Sequence, residues 1–585
     1  MAERPASPPR PVASLPPSVP EPGFPLGKTA RVVSIEALLY ALAILVAVAL
    51  RLGLSAGDAL ADYETTTALA ALDLVAGRAT GGPAPLVELL TALVFFVAGG
   101  SDLAARFPLA VAGTALVAIM PFFRPLLGRL AALVAAFLLA VGPFPLGVSR
   151  RVDADSLALL LAFIVLLGLF RFDRERRVGW LVAAILAGGL LLAAGPRSVT
   201  FLLAGVGAVA VARVAGARTP LASLEEAWRT HGGRLTSPIG WAIAAALVLF
   251  VVVSTRLFLL PAGLALPALS AWVDELNGGG ALGLPIVGLA VYDPLVLVFG
   301  LAGVVWLLRA APGEPRDRSF VAFLAVWSGV GAGLAVLGGQ RTIGPLSGIA
   351  LPLGLIAATL VADLIRRLRR DDLWRTAAIV GAVPLMTYAY LQSASLTRTD
   401  GGTSVQWMAV FLTLGLVVAY AGLVGYFAGR GAIPVIALFA ALILAAGSMH
   451  ASVRLNARPT AAEWVLASVP GPAATIFPER IGEIRAARGG TITYGLSQAL
   501  RIPFGWYLRD QPGQLPAEQL VDGMVAAVVL PGASPPTSGT ATSTPGVYAA
   551  GSYGPPQTPR AWWRWYVWRD VSETSFVREA VLFSR

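Results

Sequence analysis

Cysteine is absent from the 585 residues, which removes disulfides, thiolate nucleophiles and cysteine-held metals. Histidine is reduced to His231 and His450, too few for a histidine-built metal centre or proton relay. Lys28 is the only lysine, so all the other members of the 44-residue basic set are arginine. Charge is scarce as well. Only 13% of residues are charged, against about 25% in a soluble domain. The chemistry of this chain therefore rests on carboxylates, arginines, hydroxyls and backbone.

What is abundant is apolar. Hydrophobic residues make up 56% of the chain and the mean hydropathy is +0.74. The apolar residues fall into long blocks separated by short arginine clusters, the pattern of a chain solvated by lipid. The net charge of +11 gives no reason to invoke nucleic acid, because the basic residues sit mostly between apolar blocks. This is a mainly α, polytopic membrane protein.

Nine prolines precede Leu26, so residues 1–30 read as a disordered cytoplasmic tail. The block Ile35 to Leu50 reads as a retained anchor; the cleavage-like Ala59-Leu60-Ala61 is outweighed by its length and by the spans that follow. Thirteen spans are expected, near 35–53, 106–123, 130–148, 156–172, 178–195, 198–214, 238–258, 291–309, 319–338, 346–365, 376–393, 404–426 and 431–449. Leu86 to Ala98 is left out: 13 residues reach roughly 20 Å, short of a hydrocarbon core of about 30 Å, so this block is assigned to the interface. With the N-terminus inside, the cytoplasmic segments hold 23 basic residues and the outer ones before residue 450 hold 9, as the positive-inside rule requires. The expected place is the cell (plasma or inner) membrane. The expected domains are the tail at 1–30, a transmembrane domain at 31–450, and a small α/β domain at 451–585 on the outer face. Strand-like runs occur there at Ala474 to Phe477, Thr491 to Tyr494 and Met524 to Leu530.

The first outer loop, 53–106, is acidic in a basic protein: Asp58, Asp62, Glu64, Asp73, Glu88 and Asp102 face only Arg78 and Arg106. Asp62 and Glu64 open a helix-compatible stretch that ends at Gly77. Two explanations compete for the pair: a carboxylate presented to a lipid-borne substrate, or a solvated helix start favoured by the helix dipole. Further charges recur at the outer ends of spans, in Ser149-Arg150-Arg151-Val152-Asp153-Ala154-Asp155, Pro196-Arg197 and Gln340-Arg341. Arginine matches phosphate geometry and stays charged, so their convergence would make a phosphate site with a base beside it.

In layout and motif order the chain resembles the GT-C glycosyltransferases, above all the protein O-mannosyltransferase and aminoarabinose transferase group (glycosyltransferase family 39 and relatives). The family's Asp-Glu pair falls on Asp62 and Tyr63, with Glu64 one place later, and its His-Pro-Pro-Leu on Pro83-Ala84-Pro85-Leu86. Arg106-Phe107-Pro108, Ser149-Arg150, Asp155-Ser156-Leu157 and Arg341 before Pro345 follow in order, with Asp153 in place of a second arginine. Pro503 to Asp510 and Trp562-Trp563 resemble a divergent branch associated with lipid-sugar flipping.

The resemblance implies transfer of a sugar from a polyprenyl-phosphate donor to a hydroxyl-bearing protein, lipid or glycan acceptor on the outer face, with inversion at the anomeric carbon. It implies Asp62 as general base, Glu64 as its assistant or a cation ligand, and Arg150, Arg151, Arg197 and Arg341 as holders of the lipid phosphate. Asp155 would orient an arginine or the acceptor. No metal ligand set is assigned; a divalent cation (Mg or Mn) is optional, because hydroxyl attack does not require one. Two alternatives stand beside this reading: a non-catalytic protein of the same architecture that binds or helps flip lipid-linked sugars, and a secondary transporter, which the lack of an internal repeat disfavours. The aromatic run Trp562 to Trp568 fits either an interfacial belt or a stacking surface for sugar or acceptor.

Overall fold

A computed structural model describes residues 34–53, 59–78, 81–214, 221–227, 229, 237–265, 267–277, 283–309, 318–367, 381, 383–392, 404–428, 432–457, 459–533, 541–569 and 575–585. The tail at 1–30 and residues 376–380, 382 and 393 of the expected span at 376–393 lie outside these residues.

The chain begins with α1 (Ile35–Val48), α2 (Asp62–Val75), α3 (Pro85–Ala98), α4 (Asp102–Ala118), the single turn α5 (Arg124–Leu127), α6 (Arg129–Val141) and α7 (Pro143–Ser149). It continues through α8 (Asp155–Glu175), α9 (Val178–Leu192), α10 (Arg197–Val214), α11 (Leu221–Ala227), α12 (Pro238–Ser254), α13 (Pro267–Leu276), α14 (Leu284–Tyr292), α15 (Pro294–Arg309), α16 (Arg318–Leu337) and α17 (Ile343–Arg367). Two long helices follow, Ser404–Ala428 and Ala432–Ala457. Helix starts carry ordinary caps: Ser34, Ser101 and Ser237 each accept the amide three residues on, at 3.1–3.2 Å.

Among the described residues eight helices are long and apolar enough to cross a membrane, and two bent pairs raise this to ten. The bent pairs are α6 with α7 (56°) and α14 with α15 (106°), each broken at a proline that cannot continue the helix. α9 and α12 are apolar but shorter, at 15 and 17 residues. The protein is a multi-pass membrane protein, and its lipid-compatible exterior is visible in α1, where Ile35, Leu38, Leu42 and Leu45 are all exposed.

The bundle is organised around α17, buried along nearly its whole length among α6, α15, α16 and the helix Ala432–Ala457. Small residues allow that approach: a Cβ on Gly300 of α15 would sit 2.3 Å from Leu353 Cγ. Arg51, fully buried after α1, donates to the carbonyls of Leu139 (3.0 Å) and Ala140 (3.3 Å), pinning the first span to the end of α6.

The C-terminal part carries a six-stranded mixed sheet, in the order β1-β5-β6-β4-β2-β3: β1 (Val469–Pro470), β2 (Tyr494–Leu496), β3 (Gln514–Pro516), β4 (Ala526–Val529), β5 (Thr542–Ser552) and β6 (Ser575–Ser584). β2 lies parallel to β3 and β4, and the other pairings are antiparallel. The expected strand at Ala474 to Phe477 is instead the start of a helix, Ala473–Ala487. Its apolar residues recur at helical spacing, and Ala473, Phe477 and Ile481 bury one face against Tyr494, Phe504 and Val528.

Two aromatic motifs fasten this sheet domain to the bundle. Trp506 stacks on Phe95 of α3 with centroids 5.6 Å apart, donates to Asp102 Oδ1 (2.7 Å) and is covered by the Arg509 guanidinium at 4.0 Å. The Tyr507 hydroxyl accepts the Leu60 amide at 2.6 Å. Farther along, Trp565 of the helix Pro559–Trp568 is fully buried against Trp464 and Tyr292 and donates to the Ala462 carbonyl (2.7 Å). The Arg569 side chain, which lies over the Trp565 ring, shares the Glu463 carboxylate with the Tyr292 hydroxyl at 2.7 and 2.6 Å. Trp565→Ala removes a packed indole and leaves a cavity at this junction. It is expected to destabilise the protein by about 3–5 kcal/mol, read as a lowered thermal unfolding midpoint in detergent.

Candidate functional site

The site is built where α2 begins. Ala61 is extended, Asp62 opens the helix and Glu64 lies on its first turn, so acid gathers at the positive end of the helix dipole. Glu64 is buried and fully engaged. Its Oε1 accepts Arg106 Nε (3.1 Å) and the Val152 amide (2.9 Å), and its Oε2 accepts Arg106 Nη2 (2.9 Å) and the Ala61 amide (2.8 Å). Burial by itself would raise the Glu64 carboxyl, but the Arg106 charge and these donors outweigh it and hold it below its ordinary value. Glu64 thus ties α2, α4 and the turn after α7 together.

Asp62 has a different environment. Its Oδ1 accepts the Ser468 hydroxyl and its Oδ2 accepts Arg578 Nη1 at 2.7 Å, both from the C-terminal part of the chain. The Asp62 side chain is only 12% exposed, while Arg578 is 53% exposed. Asp62 is therefore sheltered from bulk solvent, with a partly solvated guanidinium on one oxygen.

Two cavities flank this turn. The first, of about 350 Å³, is lined by Glu64, Arg106, Arg150 and Arg151 together with Asn456, Ser468 and the segment Val469 to Pro472. The second, of about 310 Å³, is lined by Tyr63, Thr67, Asp153, Asp155, Arg197, Glu275 and Thr342. Leu466 borders both, and the first turn of α2 divides them, with Ala61 and Glu64 on one side and Tyr63 and Thr67 on the other. Of the charges expected to converge, Glu64, Arg150 and Arg151 line the first cavity and Asp155 and Arg197 the second, while Asp62 and Arg341 line neither.

In the first cavity Arg150 and Arg151 are both buried. Arg151 donates to the carbonyls of Gly147 (3.0 Å) and Leu455 (3.2 Å), bridging α7 to the helix Ala432–Ala457. In the second, Arg197 pairs with Asp155 (3.4 Å) and Glu275 (2.9 Å) and donates to Gln340 Oε1 (3.1 Å). Asp155 reaches this position only because residue 344 is glycine: a Cβ there would lie 1.6 Å from Asp155 Oδ2. Arg341 stands at the neck of α17, next to the lining residue Thr342, and its Nη1 is buried without a hydrogen-bond partner. Burial lowers its pKa from the ordinary arginine value. Among the described residues no group of three or more His, Asp or Glu side chains is placed to hold a metal ion.

Burial, with the neighbouring Asp155 charge second, pushes the Asp153 carboxyl well above its ordinary value. Burial also raises Glu275, partly offset by Arg197. Because the folded value of Asp153 exceeds its unfolded one, its contribution to stability is complete at low pH. That contribution is lost as pH climbs from about 3.8 through the raised folded value. Asp153→Asn, neutral at every pH, is expected to flatten the fall in stability toward alkaline pH. Thermal unfolding across a pH series checks this.

Several participants have no signal in a linear reading. Ser468 and Arg578 reach Asp62 across 406 and 516 residues, and Glu275 comes from α13, where nothing in its neighbourhood marks it. Arg106 was legible as one of the two arginines opposing the acids of its loop, although its pairing with Glu64 was not.

Residues 82–258 match the family model described as dolichyl-phosphate-mannose-protein mannosyltransferase. The apo crystal structure of ArnT from Cupriavidus metallidurans aligns over 84% of this chain and 92% of its own, with a TM-score of 0.50 and 17% identity. The fold is that of the GT-C glycosyltransferases. The same ArnT solved with undecaprenyl phosphate covers 93% of this chain and 97% of its own, with a TM-score of 0.49 and 16% identity. The Archaeoglobus fulgidus oligosaccharyltransferase, in complex with zinc and sulfate, covers 84% and 68%, with a TM-score of 0.43 and 13% identity. No curated protein matches the chain significantly. The segment matched by the family model contains Asp155 and all four described arginines that line the two cavities, Arg106, Arg150, Arg151 and Arg197.

Proposed function

We propose that this GT-C protein transfers a sugar from a polyprenyl-phosphate carrier to a hydroxyl group of a protein, lipid or glycan acceptor on the outer face of the cell membrane. What supports this reading is the position of Asp62: a sheltered carboxylate that lines neither cavity itself but stands in sequence between Ala61, which lines the arginine-rich cavity, and Tyr63, which lines the second, and accepts from Ser468 of the first cavity's wall. The arginines belong to the segment shared with a family described by its use of dolichyl-phosphate-mannose, a sugar on a polyprenyl phosphate.

The first cavity takes the donor phosphate and the second takes the acceptor. The acceptor hydroxyl attacks the anomeric carbon, its proton passes to Asp62, and the bond from that carbon to the phosphate oxygen breaks. Arg150 faces the charge that grows on the departing phosphate, where a preoriented guanidinium stabilises the transition state more than the ground state. Glu64 holds Arg106 and the Val152 backbone in place, and so acts as a positioning residue. Asp155 and Glu275 orient Arg197 on the acceptor side, and Arg341 offers that side a further cation. Inversion at the anomeric carbon follows from attack opposite the leaving phosphate.

The test is transfer by the purified chain in proteoliposomes supplied with a polyprenyl-phosphate mannoside and a hydroxyl acceptor. Product is expected, and its absence with every donor tried would reject the enzyme. Arg150→Ala is expected to weaken polyprenyl-phosphate binding by about tenfold or more, read by titration in nanodiscs. One observation favours a second reading, a binding or flipping protein without turnover: the Asp62 carboxylate is already engaged by Arg578. That reading predicts carrier binding that survives Asp62→Asn and no transfer by the parent protein.

A further inference from the structure

A third cavity, of about 480 Å³ and mostly apolar walls, lies well away from the two charged ones. Asp155 at the start of α8 lines the second cavity, whereas Leu169, about 21 Å farther along the same helix, lines this one. Leu181 and Ala184 of α9 and Ile243 of α12 form the rest of its apolar wall. Pockets of roughly 300–1,000 Å³ hold single small ligands, so the space suits an occupant of that size.

The occupant comes from the bilayer. α12 turns Trp241, Leu247 and Val248 to the exterior of the bundle and leaves Ile243 of the cavity wall 41% exposed, so the cavity borders lipid. α9 and α12 both start at this end. With 15 and 17 residues they reach roughly 22 and 26 Å, short of a hydrocarbon core of about 30 Å. α11 closes the end of the cavity, with Leu224 packed on the cluster of Phe172, Leu181 and Ile239.

Charge at that end selects among lipids. Both acids of α11 are already matched: Glu225, a lining residue, pairs with Arg213 at 2.8 Å, and Glu226 pairs with Arg176 at 2.8 Å. Arg229, four residues past Glu225 and also in the lining, is exposed and has no ion-pair partner among the described residues. An apolar slot that ends at a spare guanidinium fits a lipid with hydrocarbon at one end and net negative charge at the other.

We infer that this cavity binds an anionic phospholipid, with one acyl chain between α8, α9 and α12 and the phosphate on Arg229. The lipid belongs to the leaflet on this side, which the arginine pattern assigns to the cytoplasm. The site is separate from the donor and acceptor cavities and does not rest on the proposed transfer.

The experiment is native mass spectrometry of the purified protein in detergent, with phosphatidylglycerol or phosphatidylcholine of identical chains added in turn. The parent protein is expected to hold one phosphatidylglycerol about fivefold or more tighter than phosphatidylcholine, since one arginine near a membrane surface contributes about 1 kcal/mol toward anionic lipid. Arg229→Gln, at an exposed position that folding does not depend on, is expected to bind the two lipids alike. Ile243→Trp fills the cavity from its lipid-facing wall and is expected to lose the tightly held lipid whatever its headgroup; Leu169→Trp gives the same readout should that variant fail to fold. Equal binding of the two lipids by the parent protein, a preference that survives Arg229→Gln, or a tightly held lipid that survives in the filled variants overturns the inference. Displacement of phosphatidylglycerol by an equal concentration of polyprenyl phosphate overturns it as well, because the cavity would then be a groove for the sugar carrier.

Discussion

Asp62→Asn is expected to slow sugar transfer at least about 100-fold while carrier binding changes by no more than a factor of about three. The amide has the shape of the carboxylate and can still accept from Ser468, but it cannot take up the acceptor's proton, and a positioned general base contributes about 10²–10⁴ to rate. The lost ion pair with Arg578 matters little to folding, since Arg578 is 53% exposed and such pairs contribute under about 1 kcal/mol. Carrier binding is spared because Asp62 does not line the arginine cavity. Single-turnover transfer and carrier titration on the same preparation separate the two effects. A variant that transfers at the parental rate would show that the base lies elsewhere.

Glu64→Ala is expected to act on stability. The Glu64 and Arg106 side chains are 2% and 6% exposed, and removing the carboxylate strands a buried guanidinium together with the Ala61 and Val152 amides. Breaking such a pair from one side costs about 3–5 kcal/mol, so the variant should unfold far earlier in a thermal melt, and Arg106→Leu added to it should restore part of the loss. The pH sign follows from the same contacts. The folded pKa of Glu64 lies below its unfolded value near 4.5, so the pair stabilises fully above that value and the stabilisation disappears as pH falls through the folded one. Acid unfolding of the parent protein should therefore contain a component that Glu64→Gln lacks.

Much of the architecture was legible in the linear chain, because span length, arginine placement and hydropathy are local properties. The short apolar block at Leu86 to Ala98 is helical as Pro85–Ala98, with Glu88 buried against Arg256 at 3.0 Å, and it packs on α2 and α4. The first turn of α2 was legible too, since acid at a helix start has a local cause. What was not legible depends on closure of the whole chain. The arginine partner of Asp62 arrives from β6, and the charged residues divide between two cavities that share Leu466 as a lining residue, a placement set only by the closed chain. Asn456 reads as one polar residue at the end of an apolar helix until Pro143 and the cavity wall are set around it. The tail motifs divide in the same way: Trp506 and Trp565 form joints of the fold, whereas Trp563 and Trp568 keep 37% and 40% of their surface exposed.

The claim that this site transfers sugar, beyond binding its carrier, is tested most directly by following carrier and acceptor together. Purified protein in liposomes would be given a radiolabelled polyprenyl-phosphate mannoside and a hydroxyl acceptor, and free polyprenyl phosphate and glycosylated acceptor would be measured over time. The account predicts that both rise one for one with the parent protein and at about 1% of that rate or less with Asp62→Asn. A carrier that binds tightly yet keeps its sugar throughout would contradict it.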